Sequence, residues 1–243
     1  MSKVGALLRK DARGIYRDGF LLYMCAYVPL VAIAARFGVP WIPVENLALY
    51  LAPWLVTLGG SIAAILFGFG LIEERERQTL LLLRVLPLSR GVHFSYLVIT
   101  TGLLSCALGL VAAAVFGQPV ANLPGFLLML AVGSLTAPLG MLMLGVAAAN
   151  KIEGMAVAKL VSSMSIVPAL VFVVPSPWQV LLAWSPHYWV YLGLLRAYAG
   201  EAQLAGLAVH WPGHLAFVEP LAAAALCLGG IALLARLHRA RVR

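Results

Sequence analysis

Uncharged apolar runs of about twenty residues recur along this chain, separated by short islands of charge, and that is the length an α-helix needs to cross a bilayer. Ordinary soluble domains carry about 25% charged residues. Here 11% are charged and 63% are hydrophobic, more apolar surface than a water-soluble fold can hide. The pattern predicts an all-α polytopic membrane protein, with residues 1–243 forming a single transmembrane domain. The net charge of +8 lies in clusters between the runs, with no groove-sized basic patch. It therefore reads as topogenic and not as a nucleic-acid surface.

Six spans are expected, near residues 19–35, 47–72, 92–116, 125–149, 155–174 and 214–235. Before them, residues 2–18 place Val4, Leu7, Leu8, Ala12 and Ile15 at helical spacing, with Lys3, Arg9, Lys10, Arg13 and Arg17 on the other face. Such a helix lies in the headgroup region. Residues 175–213 contain Pro175, Pro177, Pro186 and Pro212 among Trp178, Trp184, Tyr188, Trp189 and Tyr191. This stretch is too broken for a full crossing and reads as outer re-entrant or interfacial helices, shielded by protein or lining a cavity. With both termini inside, fifteen Lys and Arg fall in cytoplasmic segments and only Arg36 and Arg196 fall outside, a strong positive-inside bias. All six tryptophans lie toward the opposite, outer side. The expected location is the cell membrane, multi-pass, with cytoplasmic termini.

One island is unusually dense. Residues 73–91 follow the second predicted span, and Glu73–Arg90 holds three of the nine acidic and four of the seventeen basic residues. Glu73 and Arg77 are spaced to pair on a helix, Leu80 and Leu83 add an apolar ridge, and Pro87 stops the helix. From the residues alone, this is either a surface helix that touches a soluble partner or a solvated loop that orients the chain. Glu219 is the only acid well inside an apolar run, and acids there are costly enough to suggest a substrate-path or gate residue. Its position near the start of the last span also allows it to bend toward water. His187, His210 and His214 have no metal-ligand spacing and read as interfacial anchors, while Lys159 reads as a snorkelling side chain. Cys25, Cys106 and Cys227 sit in separate runs without metal spacing, so neither a disulfide nor a metal site is expected. No nucleophile–base, paired-carboxylate or metal constellation suggests catalysis.

The island resembles the segment after the second span in ABC type-2 transporter permeases, where E-x-E-x-G-T-L precedes a leucine-rich stretch and P-L-S. Glu74, Glu76, Thr79, Leu80, Pro87, Leu88 and Ser89 match; Gln78 replaces the usual glycine and Leu81 an acidic residue frequent in the family. The stretch 150–159 and Pro186-His187-Tyr188-Trp189 are similar to the fluoroquinolone-export subgroup. The resemblance implies a permease dimer, formed with a second copy or a paralogue, above two copies of a separate ABC ATPase. ATP and Mg would be bound there and no cofactor here. It also implies ATPase coupling through Glu73, Glu74, Arg75, Glu76, Arg77, Gln78, Thr79, Leu80 and Pro87, with Lys151 and Glu153 in a second cytoplasmic link. No G-x-x-x-x-G-K-[ST] phosphate loop occurs in the sequence. The nearly uncharged interior suits an apolar or amphipathic cargo such as a drug. A haem-export permease of cytochrome maturation is one alternative. A stand-alone ion-coupled transporter is another, for which internal repeats and midplane acids would be expected.

Overall fold

The computed structural model describes residues 19–76, 90–172, 174, 176–204 and 218–241. The predicted interface helix 2–18 lies outside these residues, as do Arg77, Gln78, Thr79, Leu80 and Pro87 of the coupling segment and His210 and His214. Every regular element among the described residues is helical: α1 (Gly19–Gly38), α2 (Leu47–Glu76), α3 (Arg90–Phe116), α4 (Leu123–Gly133), α5 (Thr136–Ala147), α6 (Lys151–Met164), α7 (Pro186–Leu204) and α8 (Val218–Arg241). Short 3-10 turns cover Val39–Trp41, Val167–Phe172 and Ser176–Leu182.

The bundle is organised around α2, which contacts α1, α3, α5, α6 and α7. Small residues let its neighbours approach closely, the usual device where lipid supplies no hydrophobic drive between helices. A Cβ on Gly59 would lie 2.9 Å from Leu108 Cβ, and one on Gly60 would lie 2.9 Å from Thr136 Oγ1. The opposite distribution holds at the periphery, where Leu30, Ile33 and Phe37 of α1, Leu103 of α3 and Leu233 of α8 are exposed. Apolar side chains facing outward around a packed interior are what a bilayer-embedded bundle requires.

Five stretches among the described residues are long and apolar enough to cross a membrane: Leu22–Trp41, Leu47–Glu76, Gly91–Phe116, Leu123–Ala147 and Val218–His238. They match the first four predicted spans and the last. The fourth contains a break between α4 and α5, where Ser134 Oγ donates to Ala131 O and Thr136 Oγ1 to Gly133 O. The fifth predicted span, 155–174, is not a continuous helix. α6 begins four residues earlier and ends at Met164. Ser163 Oγ donates to Leu160 O and Ser165 Oγ to Ser162 O, local bonds that compete with the helical ladder. Pro168 then lacks an N–H and restrains the residue before it, and the chain continues as 3-10 turns.

Beyond α6 and the 3-10 turns the chain forms α7, a helix largely buried in the bundle. α7 runs antiparallel along α4. Its register is set by Tyr198 stacked edge-on against Phe126 at 5.5 Å, by Ala197 O accepting from Asn122 N–H at 2.9 Å, and by Gly193 and Val190 facing Met129 and Gly133. Its first residues therefore lie level with the α4–α5 break. Tyr188, Leu194 and Leu195 are fully buried, and the Tyr191 hydroxyl donates to Tyr50 O at 2.9 Å. Gly200, at φ 67° and ψ 171°, breaks the helix near its end with a conformation that favours glycine.

Candidate functional site

The end of α2 carries Glu73, Glu74, Arg75 and Glu76, four residues of the predicted coupling segment, as a helical extension of the span. They meet the start of α6. Asn150 is the N-cap there: its Oδ1 accepts from Glu153 N–H at 2.9 Å, and the Glu153 carboxylate accepts from Ala149 N–H at 2.8 Å and from Asn150 Nδ2 at 3.1 Å. This resembles a capping box, with the Glu153 carboxylate reaching the N–H of Ala149, one residue before the N-cap. The Glu76 carboxylate then accepts the Lys151 N–H at 2.9 Å, placing a second negative charge on the same helix N-terminus, where the helix dipole favours it.

Further contacts complete the clamp. The Lys151 ammonium pairs with Glu73 at 3.4 Å; this pair is half-exposed and is worth at most about 1 kcal/mol. The Arg75 guanidinium donates to Ala148 O at 2.8 Å and also to Gly145 O, tying α2 to the end of α5. Glu74 lies 3.4 Å from His93 Nε2 in the first turn of α3. Close packing of α6 on α2 lets Glu76 and Glu73 reach Lys151, since a Cβ on Gly154 would lie 2.7 Å from Ile72 Cδ1. The structure thus joins two elements that the sequence offers separately, residues 73–76 and Lys151 with Glu153. Arg77, expected to pair with Glu73, lies outside the described residues.

Above the clamp, α1, α2 and α6 enclose a groove of about 710 Å³, within the range of small-molecule sites. Ile65, Leu66 and Phe69 of α2 form one wall, Met155, Lys159 and Ser162 of α6 the other, and Met24 of α1 closes one side. Glu73 and Lys151 stand at its mouth. No sequence signal marks this concavity, because three helices distant in the chain create it. Lys159, read from sequence as a snorkelling side chain, is one of its lining residues.

Glu219 is elsewhere. It opens α8, is 2% exposed, and pairs with Arg196 of α7 at 2.9 Å. Its partner was legible: Arg196 is the one basic residue between Lys159 and Arg236, excluding histidines. His187 is buried in the first turn of α7. Among the described residues, no group of three His, Cys, Asp or Glu side chains is placed to hold a metal ion.

An all-helical bundle whose exposed surface is rich in large apolar side chains, with five stretches long and apolar enough to cross a membrane, defines a multi-pass α-helical membrane protein. Residues 11–222 match the family model described as fluoroquinolones export permease protein Rv2686c-like, and the chain belongs to that family. Two relatives are both 25% identical over 202 residues, covering 76% of this chain and 79% of theirs. They are the fluoroquinolones export permease protein MT2760 of Mycobacterium tuberculosis strain CDC 1551 / Oshkosh and Rv2686c of strain ATCC 25618 / H37Rv. No solved structure matches the chain.

Proposed function

We propose that this chain is the membrane-spanning subunit of a drug exporter driven by a separate ATP-hydrolysing subunit. It sits in the cell membrane as a single permease domain, with both termini in the cytoplasm. Two copies, or one copy and a paralogue, pair above two ATPase subunits that bind ATP and Mg. The cargo is an amphipathic small molecule of the kind named for the relatives.

The observation that carries this reading is the shared use of α2 and α6. Their charged ends are joined through Glu76, Glu73 and Lys151, and their spans form facing walls of the groove. Glu73–Glu76 also opens the segment that resembles the coupling region of ABC type-2 permeases. A push delivered to that segment by an ATPase reaches α6 through the clamp, and so acts on both walls at once. In this reading Arg77, Gln78, Thr79, Leu80 and Pro87 meet the ATPase directly. Glu76, Lys151 and Glu153 pass the displacement inward.

The test is co-purification of the tagged permease with an ATP-binding-cassette subunit encoded beside it, followed by ATP-driven drug transport in proteoliposomes. The expected result is a complex that hydrolyses ATP and exports drug, and that loses coupling in Glu74→Lys/Glu76→Lys. Transport sustained by an ion gradient without any ATPase would overturn the reading.

A further inference from the structure

Where α4 gives way to α5, hydroxyl groups from α2 and α3 meet those of the break. Ser134 Oγ donates to Ala131 O and Thr136 Oγ1 to Gly133 O, and in α2 Thr57 Oγ1 donates to Trp54 O at 2.9 Å. In α3 the hydroxyls of Thr100 and Thr101 bond back to Tyr96 O and Leu97 O. Ser105, one turn further along α3, differs from both. It is 4% exposed, and its hydroxyl makes no hydrogen bond to protein among the described residues. It lines a small cavity of about 10 Å³ together with Thr57, Gly60 and Ser134, and Met129 and Leu194 add apolar walls. Gly60 leaves the gap open: a Cβ there would lie 2.9 Å from Thr136 Oγ1 and 3.3 Å from Ser105 Oγ.

We propose that this cavity is a binding site for one ordered water molecule, held by Ser105, Thr57 and Ser134. A single water needs about 10–15 Å³ and two to four polar partners, and the cavity supplies both. The Thr57 and Ser134 protons are already given to backbone carbonyls, so these two oxygens can only accept. Ser105 still has its proton to give. A water accepts from Ser105 and donates one proton each to Thr57 and Ser134, which satisfies all three hydroxyls at once. Without it Ser105 is a buried donor that has lost its hydration and gained nothing in return. The water thereby joins α2 and α3 to the broken fourth span. This inference is independent of the exporter reading above and holds whatever the chain transports.

The test is X-ray radiolytic footprinting of the full chain in detergent, in which a short pulse ionises bound water in place and oxidises the side chains beside it. Met129 and Met141 are both buried, at 3% and 0% exposure, and of the two only Met129 lines the cavity. In wild type Met129 should oxidise several-fold faster than Met141. Ser105→Val fills the cavity and removes the donor, so Met129 should fall to the Met141 rate. Met155, which is exposed, should keep its wild-type rate as the control for folding. Ser105→Ala removes the donor without adding bulk and should lose most of the excess; it decides the question if the valine variant unfolds. Equal rates for the two methionines in wild type mean a dry cavity and overturn the proposal. An excess at Met129 that survives loss of the Ser105 hydroxyl also overturns it, because the oxidant then reaches Met129 from bulk solvent.

Discussion

Breaking the Arg196–Glu219 pair should destabilise the protein far more than its surface position in the sequence suggests. The ions are 2.9 Å apart, with side chains 17% and 3% exposed, so removing one partner strands the other in a poorly solvated site. Loss of one member of a buried pair costs on the order of 3–5 kcal/mol. For a chain of this length, at about 2–4 °C per kcal/mol, this corresponds to a drop of roughly 6–20 °C in Tm. The perturbations are Glu219→Gln, Arg196→Met, and the double replacement Arg196→Met/Glu219→Leu. Thermal unfolding in detergent, followed by size-exclusion fluorescence, reads each one. Both single variants should fall steeply, and the double variant should return to within about 2 kcal/mol of wild type, because two apolar side chains leave no stranded charge. Additive losses in the double variant would refute the reasoning. So would a Glu219→Gln protein of unchanged Tm whose export is lost, the signature of a residue used by cargo and not by packing.

Four further outcomes are expected. Glu76→Ala removes the acceptor of the Lys151 N–H and should lower stability little, by about 1 kcal/mol or less, while cutting drug export per ATP hydrolysed several-fold in the reconstituted complex. Gly154→Val pushes a side chain into Ile72 and Phe69; overpacking of this kind costs about 1–3 kcal/mol, and thermal unfolding should register it together with the coupling defect of Glu76→Ala. Tyr191→Phe deletes the hydrogen bond to Tyr50 O and should cost about 1 kcal/mol, read by the same unfolding assay without a change in coupling. Ile152, 82% exposed at the charged end, should react as Ile152→Cys with an impermeant maleimide in inverted vesicles and not in intact cells; labelling from outside the cell would reverse the proposed orientation.

Much of the fold was legible because one physical requirement dominates it. α2, α3 and α8 follow from uncharged runs alone, and the charged island begins where α2 reaches its end. The failure at residues 155–174 has a local cause. Hydropathy scores Ser162, Ser163, Ser165 and Pro168 as tolerable in a span, yet three of the four act on the backbone, two by hydroxyl bonds one turn back and one by its missing N–H. The candidate site was legible in its parts and not in its assembly. Glu76 and Lys151 are 75 residues apart, and nothing in either element names the other. What brings them together is the close approach of α2 and α6 at Gly154. Arg196 and Glu219 differ, since a lone base and a buried acid in adjacent apolar segments are a pairing that charge arithmetic alone can suggest.

The same close approach has a consequence for how the groove and the clamp relate. Gly154 seats α6 on Ile72 and Phe69, and Phe69 is also part of the groove wall. The last two turns of α2 therefore support the α6 N-terminus with their carboxylates and present an aromatic face to the groove. A displacement of those turns cannot alter the clamp without altering the wall, because both are side chains of one helix. Helix α6 is free to respond differently at its far end, where Ser165 and Pro168 release it from the 3-10 segment that follows. Its anchored end lies beside the coupling residues and its released end lies deep in the bundle, with Lys159 between them.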